Sequence, residues 1–312
     1  MICAAANPAE DTTLVVDRLS PGAIHRPSEL VRLPGGKAVN VARAAAVLGA
    51  TARVVALLPV EGGEAFRSGL EREGIAVSST AAAGSLRRCT SIYDAAAGNL
   101  TELYEPGGDP GGDAWDRFAA LVTNGAWPSR EPIVIAGSLP PGVPPTTFAE
   151  LVAELIAGGA EVVIDTSGPA LAALRGQAPA LVKVNEHEAA ELLGADASVS
   201  GVALSDGVSA AFGDATAIVT RGERGAVLSA PGEAFEVSLN APGSFPVGSG
   251  DAFLAGLLSA RERGRGLDEQ LRIAVAAGAA NAAMLGAGRL DPEAVANLSS
   301  RAVVAAVGAP GQ

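Results

Sequence analysis

The 312-residue chain is poor in aromatic residues, 4% of the total, and in positive charge, with 22 Lys and Arg against 34 Asp and Glu. The formal charge of −12 excludes a protein that grips nucleic acid or an anionic membrane with its whole surface. With so few rings, the core has to rest on Ala, Val and Leu. The hydrophobic fraction, 48%, is at the ordinary globular level and argues against disorder. Two cysteines, Cys3 and Cys89, are too few for a disulfide framework and lack metal-ligand spacing. Long apolar runs are also missing, although mean hydropathy is positive at +0.31. Ile273 to Gly288 is uncharged but shorter than the roughly 20 residues of a spanning helix, and four prolines break Ile133 to Ala149. No basic segment precedes an apolar run at the N-terminus, so no secretory leader is expected and the cytoplasm is the expected compartment. No repeat of solenoid length is present.

What the chain has in excess is glycine, 39 residues against an average usage of roughly 7%. These glycines follow no collagen period and lie between apolar segments, where they shape turns that bring backbone close to backbone or ligand. Short β-branched runs at Ala52–Leu58, Pro132–Ala136, Glu161–Asp165, Ala180–Val184 and Ala215–Thr220 read as buried strands. Amphipathic segments at Val39–Leu48, Glu64–Glu73, Thr146–Ala157, His187–Leu193 and Asp251–Arg263 read as helices between them. That alternation predicts an α/β fold with a mostly parallel sheet covered on both faces. Thr12–Leu33 and Arg87–Tyr104 show strand-like alternation without a helical period. They are expected to form a small antiparallel sheet from two separate excursions of the chain.

Two glycine motifs carry most of the chemical signal. In Phe245–Leu258, FPVGSGDAFLAGLL, Gly248, Ser249 and Gly250 close a strand-like segment and Asp251 opens a helix. Backbone amides at a helix start form a site for phosphate or developing negative charge. Taken alone, Asp251 is equally well a helix cap or a general base beside that anion hole. In Pro34–Arg43, PGGKAVNVAR, Gly35 and Gly36 again lead into a helix, Lys37 adds positive charge, and Asn40 offers a donor and an acceptor. Neither the G-x-x-x-x-G-K-[ST] P-loop nor the G-x-G-x-x-G dinucleotide fingerprint occurs.

GGKAVNVAR near the N-terminus together with PVGSGDAFLAG near the C-terminus resembles the paired signatures of the PfkB (ribokinase-like) carbohydrate kinases. Pieces between them also match: Asn7–Asp11, Gly137–Gly142 (GSLPPG), Asn185–Glu188 and Thr220–Gly225 (TRGERG). The resemblance implies a ribokinase-like three-layer α/β/α domain over 1–312, with a small β-sheet lid at about 12–34 and 86–106. It implies that Asp251 is the catalytic base and that Gly248, Ser249 and Gly250 form the anion hole. Asn185 and Glu188 match an N-x-x-E motif that positions the Mg²⁺ of ATP through water. Lys183, Thr220, Gly222, Gly225 and Asn281 match positions around the nucleotide.

On the acceptor side, Asp11, Gly35, Gly36 and Asn40 match sugar contacts. Lys37, Arg88 and Ser138 match the branch that phosphorylates already phosphorylated ketohexoses. Arg88 is taken as the arginine of that branch's T-R-x-N lid pattern, with Arg87 and Arg26 as supplements. The chain departs from the pattern at Ala38, at Thr90 in place of the lid asparagine, and at Tyr104 within Thr101–Gly107 (TELYEPG). The implied reaction is ATP-dependent phosphorylation of a ketohexose monophosphate, with Mg²⁺, in a homodimer paired through the lid. Fructose 1-phosphate is the first expectation, with tagatose 6-phosphate and fructose 6-phosphate behind it. A kinase for a free sugar or nucleoside and a non-catalytic sugar-phosphate-binding regulator are the alternatives.

Overall fold

The computed structural model describes residues 1–125, 127, 131–196 and 198–307; the last five positions of the expected 1–312 domain lie outside the described residues. In chain order the first elements are β1 (Ile2–Ala5), β2 (Ala9–Val16), β3 (Glu29–Gly35), α1 (Lys37–Val47), β4 (Arg53–Glu61) and α2 (Gly63–Arg72). Next come β5 (Ala76–Ser85), β6 (Arg87–Asp94), β7 (Asn99–Tyr104), α3 (Ala114–Asn124), β8 (Ile133–Ala136), α4 (Pro145–Ala157), β9 (Val162–Asp165) and α5 (Gly168–Ala172). They are followed by β10 (Leu181–Asn185), α6 (Glu186–Leu193), α7 (Gly201–Ala211), β11 (Thr216–Thr220), β12 (Ala226–Ala230) and β13 (Glu233–Ser238). The chain closes with α8 (Ser249–Glu262), α9 (Leu267–Ala282), α10 (Pro292–Ser299) and β14 (Val303–Val307). Each predicted strand and helix is present, with ends displaced by a few residues.

The large sheet has ten strands in the order β14-β13-β12-β11-β10-β9-β8-β1-β4-β5. Pairing is parallel from β11 to β5 and antiparallel from β11 to β14. Side chains alternate across a strand, and the core divides accordingly. Cys3, Ala5, Val54 and Ala56 pack with Val39 of α1, Phe66 of α2 and Leu254 of α8 on one face. Ile2, Ala4, Val55 and Leu57 pack with Phe118 of α3, Phe148 of α4 and Leu204 of α7 on the other. The result is a three-layer α/β/α body whose interior is largely Ala, Val and Leu, as the scarcity of rings requires.

The small sheet has the order β3-β2-β6-β7 and is mixed rather than antiparallel. Its hairpins β2–β3 and β6–β7 are antiparallel, but its central pair β2–β6 is parallel. The reason lies in the large sheet. Strands β1 and β5 both run parallel to β4, and both pass at their carboxyl ends into the small sheet, so β2 and β6 leave in the same sense. Among the described residues, no helix is long and apolar enough to cross a membrane.

Candidate active site

A cleft of about 860 Å³ lies between the small sheet and the carboxyl ends of the parallel strands, where open α/β sheets bind ligands. Three helices, α1, α6 and α8, present their N-terminal residues to it: Gly36 and Lys37, Asn185, and Gly248 to Asp251. Helix N-termini carry partial positive charge and free amides, so their convergence suits an anionic ligand. Gly248 caps α8 in the left-handed region at φ 80, a conformation only glycine adopts without strain. A side chain there would also collide with Ala287 and Gly288. The Ser249 amide donates to Pro246 O at 3.0 Å. Among the described residues the amides of Gly248, Gly250 and Asp251 have no backbone partner, so they are the donors available to an anion.

Beneath this loop sits a charge cluster. Asp165, at the end of β9 and with no exposure, receives Lys183 Nζ at 2.6 Å and Lys37 Nζ at 2.9 Å. Lys37 Nζ also reaches Glu188 Oε1 at 3.3 Å. Burial works to push Asp165 up, but the two ammonium groups outweigh it and hold its carboxyl below the usual range. Burial likewise works against the charge on Lys37, and the carboxylates of Asp165, Glu188 and Asp251 overcome it, so its pKa is raised. Asp251 goes the other way. Burial, with the Asp165 carboxylate adding to it, pushes Asp251 up to about 6, against the pull of Lys183, Lys37 and the Asn40 hydrogen bond. A carboxyl so placed is an effective proton acceptor near neutrality.

Toward the small sheet, Asn40 Nδ2 donates to Asp251 Oδ2 at 3.0 Å and to Asp11 Oδ2 at 3.4 Å. Burial raises the Asp11 carboxyl, opposed by the Gly36 amide, Asn40, Arg43 and Arg87. Gly35 faces Asp11 so closely that a Cβ would fall 2.0 Å from its Cγ; this glycine makes room for the acid. Ser138 lines the cleft, its Oγ accepting from Asn7 Nδ2 at 3.0 Å. Lys183, Thr220, Gly222 and Gly225 also line the cleft. Glu188 and Asn185 form a capping box at the start of α6, with Glu188 Oε2 on Asn185 N at 2.8 Å and Asn185 Oδ1 on Glu188 N at 2.8 Å.

A family model described as pfkB family carbohydrate kinase matches residues 6–294. The chain belongs to the pfkB family of carbohydrate kinases. It is thus a phosphotransferase of ribokinase-like fold. This pfkB kinase is 32% identical over 317 residues to a 1-phosphofructokinase of Xanthomonas campestris, with 96% of each chain covered. It is 32% identical over 283 residues to a 1-phosphofructokinase of Rhodobacter capsulatus, with 86% of each covered. Among solved structures, phosphofructokinase-2 from Escherichia coli in complex with fructose-6-phosphate superimposes with a TM-score of 0.86 at 24% identity, over 96% of this chain and 98% of that one. A possible 1-phosphofructokinase from Thermotoga maritima gives 0.83 at 20% identity, over 98% and 99%. These two show the shared fold.

Two expectations about the kinase site are corrected by its geometry. Arg88 does not line the cleft. In the register of β2 and β6, Glu10 pairs with Arg88 while Ala9 and Asp11 pair with Arg87 and Cys89. Strand alternation therefore sends Arg87 and Cys89 to the cleft with Asp11. Arg88 goes to the far face, where it meets Glu10 at 3.5 Å with 68% of its side chain exposed. Arg87 and Cys89, rather than Arg88 and Thr90, therefore hold the cleft-facing positions of this strand. Tyr104, the third departure, lies directly opposite Cys89. Asn281 is fully buried and does not line the cleft. Its Nδ2 donates to Val247 O at 2.8 Å and to Ser249 Oγ at 3.4 Å, so it braces the glycine loop. Lys37 does line the cleft, where its ammonium pairs with Asp165 and Glu188.

Asp165 itself was not singled out by any motif; its only signal in the sequence is an acid closing the apolar run EVVID. The raised Asp251 pKa has a consequence for stability. The folded state binds this proton more tightly than the unfolded chain, whose carboxyl has the ordinary value of 3.8. The stabilisation from that proton is complete below 3.8 and is lost as pH rises through about 6. At neutral pH the ionised carboxylate costs stability. Asp251→Asn is therefore expected to raise unfolding free energy at pH 7.5 by roughly 1–3 kcal/mol, with a smaller gain at pH 4.5. Denaturant melts at the two pH values check this, and a variant less stable at both contradicts it.

Proposed function

We propose that this kinase transfers the γ-phosphoryl group of ATP to a ketohexose monophosphate, giving a bisphosphate. Fructose 1-phosphate is the first candidate, followed by tagatose 6-phosphate and fructose 6-phosphate. The observation that carries the reaction is the buried Asp251 carboxyl, raised toward neutrality and placed in the first turn of α8 beside free amides. Asp251 takes the proton of the acceptor's free primary hydroxyl, whose oxygen attacks the γ-phosphorus as the bond to the leaving ADP oxygen breaks. The amides of Gly248, Gly250 and Asp251 itself receive the charge on the transferred group. Lys183 and Lys37 lie on the same side as fixed positive charges. Asp11 and Asn40 orient the sugar from the other side.

The residues also fit Mg²⁺ carried by the nucleotide. Among the described residues no three His, Cys, Asp or Glu side chains are grouped as metal ligands. Mg²⁺ keeps several waters and relies on few protein carboxylates, and Glu188, lining the cleft beside Lys37, would hold such waters together with Asn185. When bound, Mg²⁺ neutralises phosphate charge on the donor. The base end of the cleft is lined by small residues, including Ala241, Gly243, Val275, Gly278 and Ala279, a surface that accepts a flat ring without side-chain hydrogen bonds.

The choice of a phosphorylated ketose rests on the two 1-phosphofructokinase relatives and on Arg87. The cleft is lined by the cations Lys37, Lys183 and Arg87 against Asp11, Glu102, Glu188, Glu223 and Asp251. The two lysines share Asp165, whereas Arg87 binds neutral carbonyls of Asn7 and Glu105 and Cys89 Sγ. Its charge is therefore available to an acceptor phosphate. The small sheet serves as a lid that excludes water from the reaction. Its face away from the cleft carries Leu14 in register with Leu30 and Ile92, and Leu103 opposite Thr90, with Leu30 47% and Leu103 59% exposed. These exposed leucines, on the same face as the Arg88–Glu10 pair, support pairing of two copies through the lid.

A coupled ADP-release assay over free and phosphorylated ketoses tests the reading. Turnover of phosphorylated ketoses, with a loss of about 10²–10⁴-fold in kcat for Asp251→Asn, is expected. Turnover of free sugars only, or a near-native Asn variant, contradicts it. Arg87→Ala should raise the acceptor KM by about tenfold or more while Arg88→Ala leaves it within about twofold; the reverse order refutes the assignment of Arg87.

A further inference from the structure

One buried cation, Arg43, lies behind the cleft and does not line it. Arg43, one turn along α1 from Asn40, is 4% exposed, and its guanidinium joins four separate segments. Nε donates to Glu73 Oε2 at 2.5 Å and Nη2 to Glu73 Oε1 at 3.1 Å, at the end of α2. Nη2 also donates to Pro34 O at 2.5 Å, in β3 just before the glycine pair. Nη1 donates to Ala287 O at 3.2 Å and to Asn40 Oδ1 at 3.1 Å. Ala287 belongs to the loop that packs against Gly248, the cap of α8.

The contact with Asn40 has a directional consequence. A guanidinium only donates, so Asn40 must turn its Oδ1 toward Arg43. Its Nδ2 then has to face Asp251 and Asp11, which is where it is found. Without Arg43, nothing else described bonds to Asn40 Oδ1, and the amide is held only through Nδ2 by its bonds to Asp251 and Asp11. With Oδ1 turned inward it would set a third acceptor against two carboxylates that need a donor. One guanidinium thereby holds the amide that links the proton acceptor to the acceptor-binding acid, together with the backbone on both sides of them.

We propose that Arg43 is a positioning residue for phosphoryl transfer, acting through the side-chain amide of Asn40 on Asp251 and Asp11. The proposal rests on the reading of Asp251 as the base. Its mark is coupling: if Arg43 works through Asn40, its removal matters only while Asn40 is present. Arg43→Met keeps the buried stem and removes the donors. Arg43→Lys keeps the charge opposite Glu73, but one ammonium cannot serve Glu73, Pro34 O and Asn40 Oδ1 together.

The experiment is a double-mutant cycle on kcat and on both KM values, using Arg43→Met, Asn40→Ala and the pair, with rates normalised to folded protein. Each single variant is expected to lose about tenfold or more in kcat, the pair to fall within about twofold of Asn40→Ala alone, and KM for ATP to stay within about twofold. Losses that multiply in the pair mean that Arg43 acts on the fold at large and overturn the proposal. If Arg43→Met does not fold, Arg43→Lys takes its place in the same cycle. Asp251→Asn is measured alongside. A near-native rate there removes the base assignment, and the cycle is then read on the acceptor KM through Asp11, where multiplying effects again overturn the role of Arg43.

Discussion

The site is organised around one buried carboxylate, Asp165, which has no exposure and is shared by the ammonium groups of Lys37 and Lys183. Burying ions costs several kcal/mol each unless they are paired, and this cluster sits under the N-termini of α1, α6 and α8 rather than deep in the core. Its electrostatic effect reaches Asp251. Of two neighbouring carboxylates, one is held ionised by two lysines and the other is driven toward neutrality by burial and by the first. Pushing two acids apart in this way is how a protein obtains a proton acceptor that works near pH 7. The same lysines leave positive charge beside the amides of the glycine loop, where a transferred phosphoryl group would need it.

Strand parity decides the other half of the cleft. Because β1 and β5 run in the same direction, β2 and β6 pair in parallel, and Asp11 faces Cys89 with Arg87 one pleat away. Adding β7 sets Tyr104 against Cys89. This end of the cleft is thus walled by Asp11, Arg87, Cys89 and Tyr104, a set in which burial pushes the Cys89 thiol up to about 11 and keeps it neutral and weakly polar. Lateral placement follows from pairing register, and a slip of one residue would exchange the cleft face of the sheet for its outer face.

Much of this was legible in the chain because local physics and global placement agree. The apolar runs closing at Asp165 and Asn185 are strands in the three-layer body, and both glycine pairs do begin helices that open on the cleft. What was not legible depends on long-range geometry. Two adjacent arginines, Arg87 and Arg88, look alike in sequence, and only the register separates the one in the cleft from the one on the outer face. Lys37 reads as a free cation until β9 brings Asp165 to it across 128 positions. Asn281 matches a family position beside the nucleotide, yet α9 buries it against the carbonyl of Val247. The parallel centre of the small sheet was missed for a similar reason: its sense is set by strands that lie in the other sheet.

The buried charge arrangement holds Asp251 as a carboxyl with a pKa near neutrality. Carbon-13 NMR of aspartate-labelled protein, with the Asp251 resonance identified by its loss in Asp251→Asn, measures this directly. A titration midpoint at about 6 is the predicted result. A midpoint at or below the ordinary aspartate value of about 4 would contradict the account.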